Sequence, residues 1–221
     1  MIPETILEDP LSYLPRTAIQ EYKRGQVIYD RDSPNARLHL VIKGYVKVVR
    51  FSGKSEIVIN LCQVDDFFGE PALVPAQGEE EAVTVEPSDI MSWPVQMIPD
   101  LISRNPALGF ALLQRLAGRC VDLGERITEL SSDSTCARLG KTLLHLADRI
   151  GDEGPCYTDI RTLAPISHKL LSQYIGTTRE AVTHCMNDFR RQGLVSYSRR
   201  NVTIRCEALR EALGLPRTPK P

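Results

Sequence analysis

Between Ile19 and Val95 the chain runs in short apolar stretches broken by single glycines at Gly25, Gly44, Gly53 and Gly69. The longest, Leu38–Val48, reads LHLVIKGYVKV, and Glu56–Leu61 is another. β-Branched residues bounded by turn formers predict strands. Their spacing suggests a barrel or roll of about eight strands. After Pro94 the period changes. Asp100–Asn105 reads as a short helical region, and a long helix is expected from about Pro106 to Leu130. Along it Leu113, Leu116, Cys120, Leu123, Ile127 and Leu130 alternate three- and four-residue steps, which makes a coiled-coil-like seam. Ser131–Ser134 breaks the helix and forms a hinge. A further helix is predicted over Thr135–Ile150, and Gly151–Pro155 leads into the last segment.

That segment, Ser167–Leu194, reads as a helix, a tight turn at Gly176 and a second helix. Ser167 can cap the first, and Gly193 can stop the second. On the second helix Val182, Cys185, Met186 and Phe189 form one apolar stripe, while Arg179, Glu180, Thr183, His184 and Asn187 form a polar face. A packed back and a front of long hydrogen-bonding groups suit insertion into a DNA major groove. The plainer alternative is a solvated amphipathic helix. Thr177-Thr178-Arg179-Glu180 also matches a capping box, with Thr177 as N-cap and Glu180 three residues on. Beyond Gly193, Leu194–Tyr197 and Asn201–Arg205 predict a hairpin with Ser198, Arg199 and Arg200 at its tip. Helix, turn, helix and hairpin make a winged arrangement, and tip arginines suit phosphate contact.

Charge supports this division. The 221 residues carry 27 basic and 28 acidic side chains. Residues 1–133 hold 13 Lys/Arg against 20 Asp/Glu, and residues 134–221 hold 14 against 8. An acidic front and a basic back fit a sensing domain joined to a DNA-binding one. Cysteines 62, 120, 136, 156, 185 and 206 are scattered, with no CxxC and no paired His spacing. They are expected to be reduced, mostly small core residues, and to hold no zinc or iron–sulfur site. The N-terminus lacks a signal peptide's basic and apolar blocks, and no apolar run reaches membrane-spanning length. A cytoplasmic location is expected.

The order of these pieces resembles the Crp/Fnr family of bacterial transcription regulators. The resemblance is carried by Asp66-Phe67-Phe68-Gly69-Glu70, by Arg138-Leu139 with Thr142-Leu143-Leu144, and by Gly176-Thr177-Thr178-Arg179-Glu180-Ala181-Val182. It implies an α+β chain with a jelly-roll-like, cyclic-nucleotide-binding-type β-roll over residues 1–105. A dimerisation helix and hinge would cover 106–133, and a winged helix-turn-helix 134–221. It also implies that Arg179 and Glu180 read base pairs: arginine can bond guanine O6 and N7, and glutamate can accept from cytosine N4. Thr178, Thr183, His184 and Asn187 would share that face, with Ser167, Lys169, Arg199 and Arg200 on phosphates. A second base-reading arginine of cAMP-responding members falls on His184, so the half-site should differ there. The seam would pair two copies to match a two-fold operator, although it could instead pack on the barrel.

The sensing residues depart from the family pattern. Gly69 and Glu70 match the turn that holds a ribose, but the phosphate-holding Arg-Ser pair falls on Glu80 and Glu81, within Glu79–Glu81. An anionic phosphate would be repelled there. The adenine-contacting Thr-Ser pair falls on Leu123 and Gly124, which have no hydroxyl. The expectation is therefore a regulator that does not bind cAMP in the usual way and carries no cofactor. Haem-sensing members use His or Cys, and His39 and Cys62 lie in the roll, though packing is the commoner role for such residues. Cys120 on the seam could meet its mate in a disulfide. RNA polymerase would be a partner if the protein activates, and no membrane contact is expected. The competing readings are a cyclic-nucleotide-binding-like regulatory module of another protein and a cysteine redox-responsive regulator. No catalytic constellation or metal spacing stands out, so an enzyme is not expected.

Overall fold

A computed structural model describes residues 8–30, 32–33, 35–53, 55–74, 80–150, 152–153, 159–198 and 201–217. The chain divides into two compact units, Met1–Arg126 and Ile127–Pro221.

Among the described residues of the first unit, eight strands form two four-stranded antiparallel sheets. One has the order β1 (Ile19–Tyr22), β8 (Ser88–Pro94), β3 (Arg37–Lys43), β6 (Phe67–Phe68), and the other β2 (Val27–Tyr29), β7 (Glu80–Thr84), β4 (Val46–Ser52), β5 (Ser55–Cys62). Strand alternation sorts the side chains: in β7, Glu80, Ala82 and Thr84 are buried, whereas Glu81 and Val83 are not. One apolar core gathers Val41, Val46, Val48, Phe68 and Ile90, and a second gathers Leu38, Leu40, Phe67, Trp93 and Leu108. The indole of Trp93 donates to the Pro15 carbonyl at 2.7 Å, so its burial leaves no polar group unmet. The roll is followed by α1 (Ile98–Arg104) and α2 (Pro106–Ser132).

The second unit takes in the end of α2, which stops at Ser132. Asp133 and Ser134 break the helix before α3 (Thr135–Ile150), where the Ser134 hydroxyl accepts from the Ala137 amide at 3.2 Å and starts the new one. Lys141 of α3 pairs with Asp133 at 2.7 Å. Two strands, β9 (Asp152–Glu153) and β10 (Ile160–Leu163), precede α4 (His168–Ile175) and α5 (Arg179–Arg191). The hairpin β11 (Val195–Tyr197) and β12 (Val202–Arg205) follows, then α6 (Cys206–Ala212). The expected two-stranded wing is thus part of a four-stranded sheet in the order β11-β12-β10-β9. β10 and α6 had no strong periodic signal of their own, and strand pairing and packing define them.

Two expectations need correction. The cap of α5 is Thr178 rather than Thr177: its hydroxyl accepts from the Ala181 amide at 3.2 Å. Glu180 is therefore the second helical residue and cannot close the box. The cysteines are not all reduced either, because Cys136 and Cys185 form a disulfide. Separation by 49 residues hid that pair, and only packing of α3 on α5 brings the two together. Cys62 and Cys206 are buried, as expected of core residues, and Cys120 is a free, exposed thiol. Cys156 lies outside the described residues.

Candidate nucleic-acid interface

The helix pair is built locally. Ser167 caps α4, accepting from the Leu170 amide at 3.1 Å. Gly176 closes α4 in the left-handed region at φ +66°, where a side chain would be strained. Arg138 of α3 donates to the Ile175 carbonyl at 3.3 Å and to the Asp133 carbonyl at 2.9 Å, tying the end of α4 to the helix break. On α5 the stripe Val182, Cys185, Met186 and Phe189 is buried. The opposite face carries Arg179, Glu180 and His184, all exposed, with Thr183 and Asn187 half-buried beside them.

Hydrogen bonds orient this face. The Thr183 hydroxyl donates to the Arg179 carbonyl at 2.9 Å, so it accepts from the His168 Nδ1–H, also at 2.9 Å. His168 stands edge-on to Tyr197, whose hydroxyl donates to Asn187 Oδ1 at 3.0 Å. With its oxygen engaged by Tyr197, the other end of the Asn187 amide is an NH2 donor. The Arg190 guanidinium lies 5.3 Å from the Tyr197 ring centre. His184 Nε2 lies 3.2 Å from Asp188, which also holds Arg191. Its imidazole is thus drawn along its own helix. Burial, aided by Arg179, holds the His168 pKa below its ordinary value, which keeps the ring a neutral scaffold. His168 and Tyr197 were not legible as part of this face: the first sits between two phosphate candidates, and the second needs the hairpin to fold back. Lys169 and Ser167 are exposed at the start of α4. Arg199 and Arg200 lie outside the described residues.

In the roll, Gly69 takes φ +87° before a short 3-10 turn, Glu70–Leu73. Asn35 braces it, donating from Nδ2 to the Gly69 carbonyl at 2.9 Å. Asn35 Oδ1 accepts from His39 Nε2 at 2.9 Å, and His39 Nδ1 accepts from the Ser92 hydroxyl at 2.8 Å. Both nitrogens of His39 are used, and burial lowers its pKa to about 4. The Cys62 sulfur is buried and accepts from Asn60 at 3.0 Å. The haem reading therefore has no support: these are packing residues.

Glu70 and Glu80 come into one polar cluster, but not as free carboxylates. Arg119 of α2 donates to Glu70 Oε1 at 2.6 Å, and Arg50 donates to Glu80 from Nε at 3.1 Å and Nη2 at 2.8 Å. Among the described residues, neither the buried Tyr29 hydroxyl nearby nor Glu70 Oε2 has a hydrogen-bond partner. Burial first, then the charges of Glu80 and Glu70, push the Tyr29 pKa up. Glu81 faces the other side of β7, and burial with Asp30 and Glu56 nearby raises its pKa. Glu79 lies outside the described residues. Leu123 and Gly124 are exposed on α2, and Leu113, Leu116, Cys120, Ile127 and Leu130 are exposed as well. Arg126 donates to the Ile59 and Val58 carbonyls at 2.7 and 3.1 Å, covering the edge strand β5.

Residues 19–105 match the cyclic nucleotide-binding domain, and residues 137–212 match the Crp-like helix-turn-helix domain. The chain is 27% identical over 190 residues to the global nitrogen regulator of Synechocystis sp., covering 84% of each chain. It is 26% identical over 187 residues to the CRP-like cAMP-activated global transcriptional regulator of Mycobacterium tuberculosis, covering 83% of this chain and 82% of that one. Its fold is like that of FixK2 from Bradyrhizobium japonicum, with a TM-score of 0.77 at 18% identity over 90% of this chain and 97% of that one. A β-roll of the cyclic nucleotide-binding type, a long helix and a Crp-like helix-turn-helix define a DNA-binding transcription regulator rather than an enzyme. The chain belongs to the Crp/Fnr family.

Proposed function

We infer that the protein is a homodimer that reads a two-fold symmetric operator through α5 and is not switched by cAMP in the usual way. The observation that carries the DNA assignment is the divided helix α5. Its back is buried, while Arg179 and Glu180 project from its first turn and Thr183 and Asn187 are oriented beside them. Arg179 and Glu180 would read base edges, with Thr178, Thr183, His184 and Asn187 around them. Ser167, Lys169, Arg199 and Arg200 would contact phosphates. In this reading residues 1–105 sense, 106–133 pair two copies and 134–221 bind DNA. The exposed seam Leu113–Leu130 supports pairing, because a stripe of large apolar side chains in water favours association. No described helix is long and apolar enough to cross a membrane, and we place the protein in the cytoplasm, with RNA polymerase as a partner if it activates.

Against cAMP stand the internal pairs. Glu70 is engaged by Arg119, Glu80 rather than an arginine points inward, and Leu123 and Gly124 offer no hydroxyl to a base. The cyclic-nucleotide module of some other protein would have no use for the α5 face.

Selection of bound DNA from a random pool tests both points. A two-fold symmetric motif, enriched equally with and without cAMP, is expected. Arg179→Ala should lose that motif while remaining folded, since the side chain is exposed. The same motif at the same affinity from the variant would remove α5 from the reading role.

A further inference from the structure

We propose that Cys136 and Cys185 are a redox modification site: a reversible disulfide that fastens the DNA-reading helix to the first helix after the hinge.

Cys185 is on the buried back of α5, one residue after His184 and two before Asn187, and is only 2% exposed. Cys136 is in the first turn of α3 and is half-buried. Their Cα atoms are 5.2 Å apart, within the range a disulfide spans without backbone movement. The bond closes a segment that contains all of α4 and the start of α5, so it restricts the opening of the helix pair that presents the reading face. Without it α5 is held by its buried apolar stripe, Val182, Met186 and Phe189, and by the hydrogen bond between Thr183 and His168 of α4.

The two thiols differ in the way an exchange pair requires. Cys136 is the more accessible of the two and is therefore the one that meets an oxidant first. Its thiolate attacks a disulfide oxidant of the glutathione class, forms a mixed disulfide and releases one thiol. Cys185, having lost its proton, then attacks Cys136 Sγ and expels the second thiol. Two electrons and two protons leave the pair, and the oxidant takes them up as two thiols. A dithiol reductant reverses both steps. Cys206, by contrast, is buried with its pKa pushed up to about 11, and remains a protonated packing group.

The effect on DNA rests on the assignment of α5 as the reading helix; the effect on α5 itself does not. Oxidation therefore tightens the helix, and reduction lets it open locally more often.

The full chain is oxidised with glutathione disulfide or reduced with dithiothreitol, and the bond is scored by mass spectrometry of alkylated peptides. Hydrogen exchange of α5 amides and affinity for the selected operator are then measured in both states. Reduction should speed exchange across α5 and weaken operator binding about tenfold. Cys136→Ser, which leaves the buried Cys185 in place, should behave as the reduced protein under both conditions. Cys120→Ser should keep the full redox response, since the seam thiol is not involved. A bond that fails to form under oxidation, or α5 exchange and operator affinity unchanged within about twofold, would overturn the proposal. If no DNA motif is selected in either state, the DNA-reading assignment fails, and the exchange data still decide whether the bond fastens α5.

Discussion

Replacing Leu113 with glutamate puts the pairing of two α2 helices to a quantitative test. Leu113 is 60% exposed, so its own chain covers little of it, and the substitution should leave the fold intact. Leu113, Leu116, Leu123, Ile127 and Leu130 together leave exposed the equivalent of about two and a half whole side chains. At about 1.5–3 kcal/mol each, burying those of two copies gives about 8–15 kcal/mol. Association itself costs about 4–15 kcal/mol, so the seam leaves only a modest surplus. In a parallel pair each seam residue meets its own mate. Leu113→Glu removes about 2 kcal/mol of apolar burial from the pair. It also sets two carboxylates facing each other, which at about 6 Å and an effective dielectric near 20 costs a further ~3 kcal/mol. A loss of about 5 kcal/mol corresponds to dimerisation weakened several thousandfold. Sedimentation equilibrium would read this, with circular dichroism as the check on folding. Arg115→Ala, an exposed neighbour off the stripe, should shift the dimer constant by no more than about threefold. A folded Leu113→Glu protein with the wild-type dimer constant would show that the stripe is not the association surface.

Two further outcomes concern the roll. The His39 pKa is held near 4 against an ordinary 6.5, so the unfolded chain takes up a proton first as pH falls. Stability from this group is full above pH 6.5 and is lost on the way down to 4, by about 2 kcal/mol between pH 7 and pH 5. Urea unfolding at the two pH values should show that loss, and His39→Gln should remove most of it; an equal loss in the variant would refute the cause. Gly69→Ala would place a Cβ 2.8 Å from the Arg37 carbonyl and 2.5 Å from Asn35 Nδ2, at φ +87°. Strain and overpacking together should destabilise the roll by about 2–5 kcal/mol, read as a lower urea midpoint.

Much of this protein is written locally in its chain. The glycine-punctuated strands, the limits of α3, the Ser167 cap, the Gly176 turn and the buried stripe of α5 follow from periodicity and from the few residues that suit each backbone geometry. Such signals act over one or two turns and need no partner. The same locality misplaced the α5 cap, because Thr177 and Thr178 are chemically equivalent and only the path out of the Gly176 turn chooses between them. It also missed β10, whose place depends on pairing with β12. What only the tertiary structure decided is who meets whom: Arg119 with Glu70, Arg50 with Glu80, Tyr197 with Asn187, and Cys136 with Cys185. Each of these joins residues from different elements, and the chain order of isolated polar groups carries no distance between them. The sequence alone determined that α5 has an apolar back and a polar face; the packing of α3, α4 and the hairpin decided how that face is held.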